Sequence, residues 1–392
     1  MRNDLLAMSE KQNKKRLGIY IHIPFCKSKC AYCDFYSGNF SAADREEYLY
    51  CLGEHIKRLA PTADDYAVDS IFLGGGTPTV IGGEGIARIG EVLSIAFHLS
   101  RDTEFSVEAN PGTVERVDLD TMKRAGVNRI SFGLQSSHDS ELKALSRIHS
   151  YSEFLSAYSD ARNAGFDNIN IDLMYGLPDQ TVDSFAETVE RVSALSPEHL
   201  SLYGLKIEDG TPFGRMRDRL VLPDEDSEYE MYLMAADLLR AVGYRHYEIS
   251  NYAKPGQECR HNLKYWDALE YIGFGPSAYS YFGGRRYGYI GDLTEYIAAV
   301  KAGCEPIEYS EEITEKDREA EYIMLRLRLR DGITRGDFYD RFGIDFAEKY
   351  REKLSKYISL GIMENDRDRY YLGDRGMYVS NTVISDIAEF DV

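Results

Sequence analysis

"LGIYIHIPFCKSKCAYCDF", Leu17 to Phe35, runs without a break from an apolar segment into three of the chain's six cysteines. The first half alternates β-branched and aromatic residues, which predicts a buried strand over 17–25. The second half places Cys26, Cys30 and Cys33 on the loop that follows it. Thiolates bind soft or borderline metals. A structural zinc site wants four ligands, commonly as two separated pairs. The spacing here is C-x3-C-x2-C with no second pair, so zinc would need a fourth ligand such as His22 or Cys259. A redox C-x2-C dithiol leaves Cys26 unexplained. An iron–sulfur cubane is usually held by four thiolates. Three would leave one iron without a protein ligand and open to a small molecule.

Outward from this stretch, short apolar runs alternate with amphipathic ones. Strands are predicted at 17–25, 68–75, 104–110, 128–135, 168–176 and 199–206. Helical patterns lie between them at 42–60, 82–98, 116–125, 139–164 in pieces, and 181–195. In the last, Val182, Phe185, Val189 and Val192 recur at helical spacing. Six strands, each followed by a helix, imply a parallel sheet. Six units are fewer than a full eight-fold barrel, so the expected fold is α/β, a partial (β/α)6 barrel; a doubly wound sheet is the alternative. The ends of the predicted strands carry Gly74-Gly75-Gly76-Thr77-Pro78, Glu108, Gln135, Asp172 and Tyr203. In β/α barrels those ends form the active-site face.

Beyond 206 the pattern predicts a helix over 224–242, a strand and loop at 244–253, and a Gly- and Tyr-rich stretch to about 290. From 311 it changes again. Thr314 is the expected N-cap of a helix. Helices near 334–341 and 345–359, a hairpin around Asn365–Arg369 and a last helix from Asn381 outline a small winged-helix-like α+β domain. The domain plan is a polar N-terminal tail (1–17), the partial barrel (18–253), a connecting segment with "HNLKYW" (254–310) and the C-terminal domain (311–392).

Hydrophobic residues make up 43% and charged residues 28%, an ordinary globular balance. The net charge of −19 opposes non-specific nucleic-acid binding, which rests on cations that neutralise phosphates. The N-terminus has no apolar core of a secretory signal. No run approaches the roughly 18 apolar residues of a membrane span. The expected location is the cytoplasm, with at most peripheral membrane contact. Cys51, Cys259 and Cys304 are scattered and outline no disulfide framework.

C-x3-C-x2-C just after a first strand resembles the signature of radical S-adenosylmethionine (SAM) enzymes. The resemblance implies a [4Fe–4S] cluster on Cys26, Cys30 and Cys33, whose open iron chelates the amino and carboxylate groups of SAM. One electron then cleaves the sulfonium and releases a 5′-deoxyadenosyl radical. "YIHIPFC" (20–26), "GGGTPT" (74–79), "VEANP" (107–111), "FGLQS" (132–136), "LSRIHS" (145–150), "NIDLMYGLP" (170–178), "YEISNYA" (247–253) and "HNLKYW" (261–266) are similar to one branch, the oxygen-independent coproporphyrinogen oxidases and their relatives. The C-terminal segment also resembles that branch's. Carried over by motif, Tyr20, Gly75, Gly76, Thr77 and Glu108 contact SAM, and Tyr32 flanks the cluster or adenine. Gln135, Arg147 and Asp172 match further nucleoside-binding positions. The plain alternative for each polar residue is a cap or a surface group.

The oxidases of this branch carry a fourth cysteine two residues after the third, where this chain has Phe35. The haem chaperones of the branch share "CDF" and "HNLxYW". The resemblance therefore implies a protein that binds haem as cargo and delivers it to apoproteins, with cluster and SAM regulating or stabilising it. The runner-up is oxidative decarboxylation of coproporphyrinogen III to protoporphyrinogen IX; a third reading is a radical SAM enzyme for another substrate. Phe35 itself could simply pack beside the cluster. Imidazole is a standard haem ligand, and the resemblance makes His261 the expected axial ligand, with Asn262, Tyr265 and Trp266 around the porphyrin; the plain alternative is a structural histidine packed among aromatics. Cys259 is the alternative thiolate.

Overall fold

Strands β1 (Lys15–Ile23), β2 (Tyr66–Gly75), β3 (Leu99–Ala109), β4 (Arg129–Gln135), β5 (Ile169–Tyr175) and β6 (His199–Gly204) lie side by side in chain order, every neighbouring pair parallel. Parallel neighbours need crossover connections. Helices supply them: Ala42–Leu59, Gly82–Ala96, Arg116–Arg124, Tyr151–Asn163 and Val182–Ala194. The order never reverses. A doubly wound sheet has a switch point where it does, so the winding is that of a partial barrel. The computed structural model describes residues 14–388.

Alternation along each strand sorts the side chains. Ile19, Ile21, Ile23, Ile71, Leu73, Val107, Ile130, Phe132 and Ile171 are buried in the main hydrophobic core. The intervening residues, among them Tyr20, His22, Phe72, Ser106 and Glu108, face the lumen. Polar residues in a parallel sheet are out of place unless they serve a site.

Two expected boundaries move. Strand β1 begins at Lys15, inside the predicted tail, while residues 1–13 of that tail lie outside the described residues. The segment 254–310 is more than a connector. It holds the helix Arg260–Trp266 and strands β9 (Tyr271–Phe274), β10 (Tyr279–Phe282) and β11 (Arg285–Tyr289). Strand β9 pairs parallel with β1, and β10, β11 and β12 (Ile307–Glu312) continue the sheet antiparallel. At the other edge β7 (Arg245–Glu248) and β8 (Asn251–Ala253) follow β6. Apolar periodicity showed the six central strands, but the Gly- and Tyr-rich edge strands are too short to read that way.

After the sheet, Thr314 caps the helix Glu315–Arg326 in a reciprocal capping box with Asp317. Helices Arg335–Phe342, Phe346–Lys349 and Arg351–Ser359 and the small sheet β13 (Ile333–Thr334), β15 (Arg369–Leu372), β14 (Met363–Asp366) complete a winged-helix-like unit. Its separate core includes Tyr322, Phe338, Phe346, Leu354 and Leu372. Backbone bonds tie it to the barrel: Ile249 N–H donates to the Arg328 carbonyl at 2.9 Å and Arg330 N–H to the Tyr247 carbonyl at 3.0 Å.

Burial gives the fold a pH dependence. It pushes His246 and His261 down to about 3, helped by Arg330 and Lys264 respectively, and His149 down to about 4, helped by Arg147. Histidine in the unfolded chain titrates near about 6.5. Each ring is thus neutral when folded and charged when unfolded below that pH. The associated stability is complete above about pH 6.5 and is lost as the pH falls toward the folded values. Glu108 and Glu248, raised to about 8 and about 7 chiefly by burial, act in the opposite sense. His246 stacks on Tyr252 at 4.3 Å and 9°, so His246→Phe removes one titration and keeps the stack. Between pH 7 and pH 5 the variant should lose about 2 kcal/mol less stability than the parent in denaturant titrations, at ~1.36 kcal/mol per pKa unit. Identical pH slopes would contradict the assignment.

Candidate functional site

Strand β1 ends at Ile23, and from Pro24 the chain turns across the C-terminal mouth of the barrel. Cys26, Cys30 and Cys33 follow on this loop as free, half-buried thiols. The loop is fastened by backbone bonds: Cys26 N–H donates to the Gly38 carbonyl at 2.9 Å, and Cys33 N–H to the Cys30 carbonyl at 3.3 Å. Gly76 N–H and Thr77 N–H donate to the carbonyls of Ile23 and Phe25 at 2.9 and 2.8 Å. The Thr77 hydroxyl lies 3.6 Å from Cys26 Sγ. Arg147 donates to Cys30 Sγ at 3.3 Å and to the Gly133 carbonyl. A guanidinium beside a thiol favours the thiolate. Burial instead pushes Cys33 up to about 11. A bound metal deprotonates a coordinating thiol outright, so these donors fit a metal-held set better than a free redox thiol.

The zinc alternative lacks its fourth ligand. Both ring nitrogens of His22 are engaged, Nδ1 with the Tyr20 hydroxyl at 3.1 Å and Nε2 with the Tyr36 carbonyl at 2.9 Å. Cys259 is fully buried and donates to Glu104 at 3.5 Å. Among the described residues no three of His, Cys, Asp or Glu gather as they would around a single ion.

The residues expected around SAM form one connected rim. Glu108 Oε2 accepts from Gly75 N–H at 3.2 Å. Burial, then the nearby Asp172, raises its carboxyl to about 8. Asp172 accepts from Asn170 at 2.8 Å and Ser131 at 3.3 Å, and burial raises it too. Gln135 takes a left-handed φ of 75°, and its amide nitrogen and an Arg147 guanidinium nitrogen both lie beside Gly133. A non-glycine residue held there is strained, and such strain gathers at functional sites. Tyr20 stacks on Phe72 at 6.4 Å, and Tyr32 sits over Ala31, Leu145 and Met174. The glycines serve the protein's own packing first. A Cβ on Gly75 would meet the His22 ring at 2.4 Å, and one on Gly76 the Ile23 carbonyl at 2.7 Å.

Phe35 does not pack beside the thiols in the core; it is 64% exposed. The "HNLKYW" residues are not at this mouth. They form the helix Arg260–Trp266, which occupies the N-terminal end of the barrel. Glu104 on β3 accepts from the backbone N–H groups of Arg260 and His261 at 3.0 and 3.1 Å, capping that helix. Lys264 pairs with Asp69 at 2.6 Å, both nearly buried. Asp69 is the extra residue of a β-bulge between β1 and β2. His261 is 1% exposed, stacks on Phe72 at 5.4 Å, and uses both ring nitrogens: Nδ1 with the Ser70 hydroxyl at 3.0 Å and Nε2 with the Tyr265 hydroxyl at 2.8 Å. As placed, both groups are engaged within the protein, the His261 ring with Ser70 and Tyr265 and the Cys259 thiol with Glu104. Asn262 and Trp266 are half-buried on the same helix. Glu104 and Asp69 went unnoticed in the sequence because single acids inside apolar runs look like surface positions until a partner helix is placed on them.

A partial parallel barrel with three loop thiols at its mouth and a polar, glycine-edged rim defines a radical SAM protein. The radical SAM superfamily model matches residues 20–192, and the HemN C-terminal domain model matches 313–379. "Heme chaperone HemW" of Bacillus subtilis is 34% identical over 367 residues, covering 93% of this chain and 97% of that protein. The protein of the same name from Escherichia coli is 35% identical over 372 residues, covering 94% and 97%. Among solved structures, E. coli coproporphyrinogen III oxidase (HemN) superposes with a TM-score of 0.84 at 24% identity, covering 99% of this chain and 93% of that one. That likeness shows the shared fold. The chain belongs to the radical SAM superfamily and, within it, to the HemW family. Membership implies a [4Fe–4S] cluster and SAM. No helix among the described residues is long and apolar enough to cross a membrane.

Proposed function

We propose that the chain is a haem chaperone that binds haem and passes it to apoproteins, with the cluster and SAM held at the barrel mouth. The observation that carries this reading is the likeness to proteins named heme chaperone, which extends over 97% of their length. Cys26, Cys30 and Cys33 would hold the cluster. Tyr20, Tyr32, Gly75, Gly76, Thr77, Glu108, Gln135, Arg147 and Asp172 would surround SAM. When bound, the pair supplies one-electron cleavage of the SAM sulfonium. The chain's own contribution is charge and orientation. Arg147 offsets thiolate charge beside Cys30. Glu108 and Asp172 present acceptors to hydroxyl or ammonium donors, while the Gly74–Thr77 turn fastens the start of the thiol loop through the Ile23 and Phe25 carbonyls.

Phe35 supports the chaperone over the oxidase. Its side chain can neither ligate nor ionise, and it points to solvent. The net charge of −19 argues against nucleic acid as a partner. The test combines three assays on the anaerobically reconstituted chain: haem binding by absorption, haem transfer to an apoprotein, and coproporphyrinogen turnover with SAM and reductant. Binding and transfer without protoporphyrinogen are expected. Protoporphyrinogen formation at enzyme-like rates would overturn the proposal.

A further inference from the structure

His261 is buried in the barrel floor, and the helix that carries it has a second face. Between the motif helix and the C-terminal unit lies a cavity of about 430 Å³, within the usual ~300–1,000 Å³ of small-molecule sites. Its walls are aromatic. Tyr265 and Tyr271 meet edge to face at 4.5 Å and 85° on the barrel side. Tyr322 and Phe342 do so at 5.5 Å and 65° on the other. Tyr265 thereby joins the floor to this cleft, since its hydroxyl holds His261.

The charges at the cleft are uneven. Arg286 is satisfied by Glu321 at 2.7 Å and Glu311 at 3.4 Å. Arg318 and Arg341 also line the cleft, and among the described residues neither has an ion-pair partner. Arg341 lies over the Tyr322 ring at 4.7 Å. Two guanidinium groups without ion-pair partners thus stand beside an aromatic slot. Guanidinium recognises carboxylate in a two-pronged fashion, and aromatic faces take flat rings.

We infer that this interdomain cleft binds a flat aromatic macrocycle bearing two carboxylates, the tetrapyrrole class to which haem belongs, with Arg318 and Arg341 on the carboxylates. The inference rests on the chaperone reading for the cargo and adds the site.

The probes are haem, metal-free protoporphyrin IX and its dimethyl ester, titrated into the full chain. Arg318→Glu/Arg341→Glu changes two exposed side chains outside the barrel. It should weaken haem and the free diacid roughly tenfold or more, the loss expected for charged hydrogen bonds. The ester should bind the parent about as weakly as the diacid binds the variant. Ala268→Trp, which fills the cleft and leaves both cations, should block all three. Unchanged haem affinity in both variants overturns the site and leaves the chaperone reading standing. Arg-dependent binding of the diacid by a chain that fails to transfer haem supports the site and overturns the chaperone reading. A parent that binds neither porphyrin overturns the site.

Discussion

Alanine at Cys30 should abolish the visible absorption of the anaerobically purified protein, and alanine at Cys26 or Cys33 should do the same. Three thiols on one loop leave no spare ligand. Removing one leaves a second iron without a thiolate, and His22 is committed to Tyr20 and Tyr36. Cys30 has a further role, since Arg147 is hydrogen-bonded to its sulfur. The fold should survive, as the three thiols are only half-buried and lie outside the main core. Cys51→Ala and Cys304→Ala serve as controls; Cys51 is packed in the helix Ala42–Leu59, and Cys304 is exposed far along the chain. Iron and sulfide analysis with the visible spectrum reads the outcome. Full cluster content in all three loop variants would refute the assignment.

His261→Ala should cost about 3–5 kcal/mol of stability, measured by equilibrium denaturation, from a buried cavity and two hydroxyls left without partners. Those hydroxyls are on Ser70 and Tyr265, so the change loosens both ends of the plug that closes the barrel floor. Any weakening of haem binding should then track the loss of structure. A variant as stable as the parent whose Soret band alone moves would restore the imidazole as an iron ligand.

The barrel strands were legible because Ile19, Ile21 and Ile23, or Ile169 and Ile171, alternate as one buried face of a strand must. The cluster loop was legible because the thiol spacing is chemistry in itself. The role of "HNLKYW" was not. Histidine beside aromatics reads equally as a ligand or a packed residue, and the choice depends on Ser70 and Glu104, far away in the chain. The bulge that turns Asp69 toward Lys264 leaves no local signal either. Phe35 looked like a packing residue because it is apolar, yet its loop projects it outward. The cleft is made by two units docking, and no single stretch contains it.

The backbone bonds that staple the thiol loop to Gly76, Thr77 and Gly38 are made entirely within the protein. Small metal-dependent domains order their ligands only as the metal arrives, and binding free energy is spent on folding. Here the ordering entropy of the loop is met when the barrel itself forms. Iron uptake then becomes a local insertion into an already fastened loop, so a chain stripped of its cluster by air should refill without passing through an unfolded state.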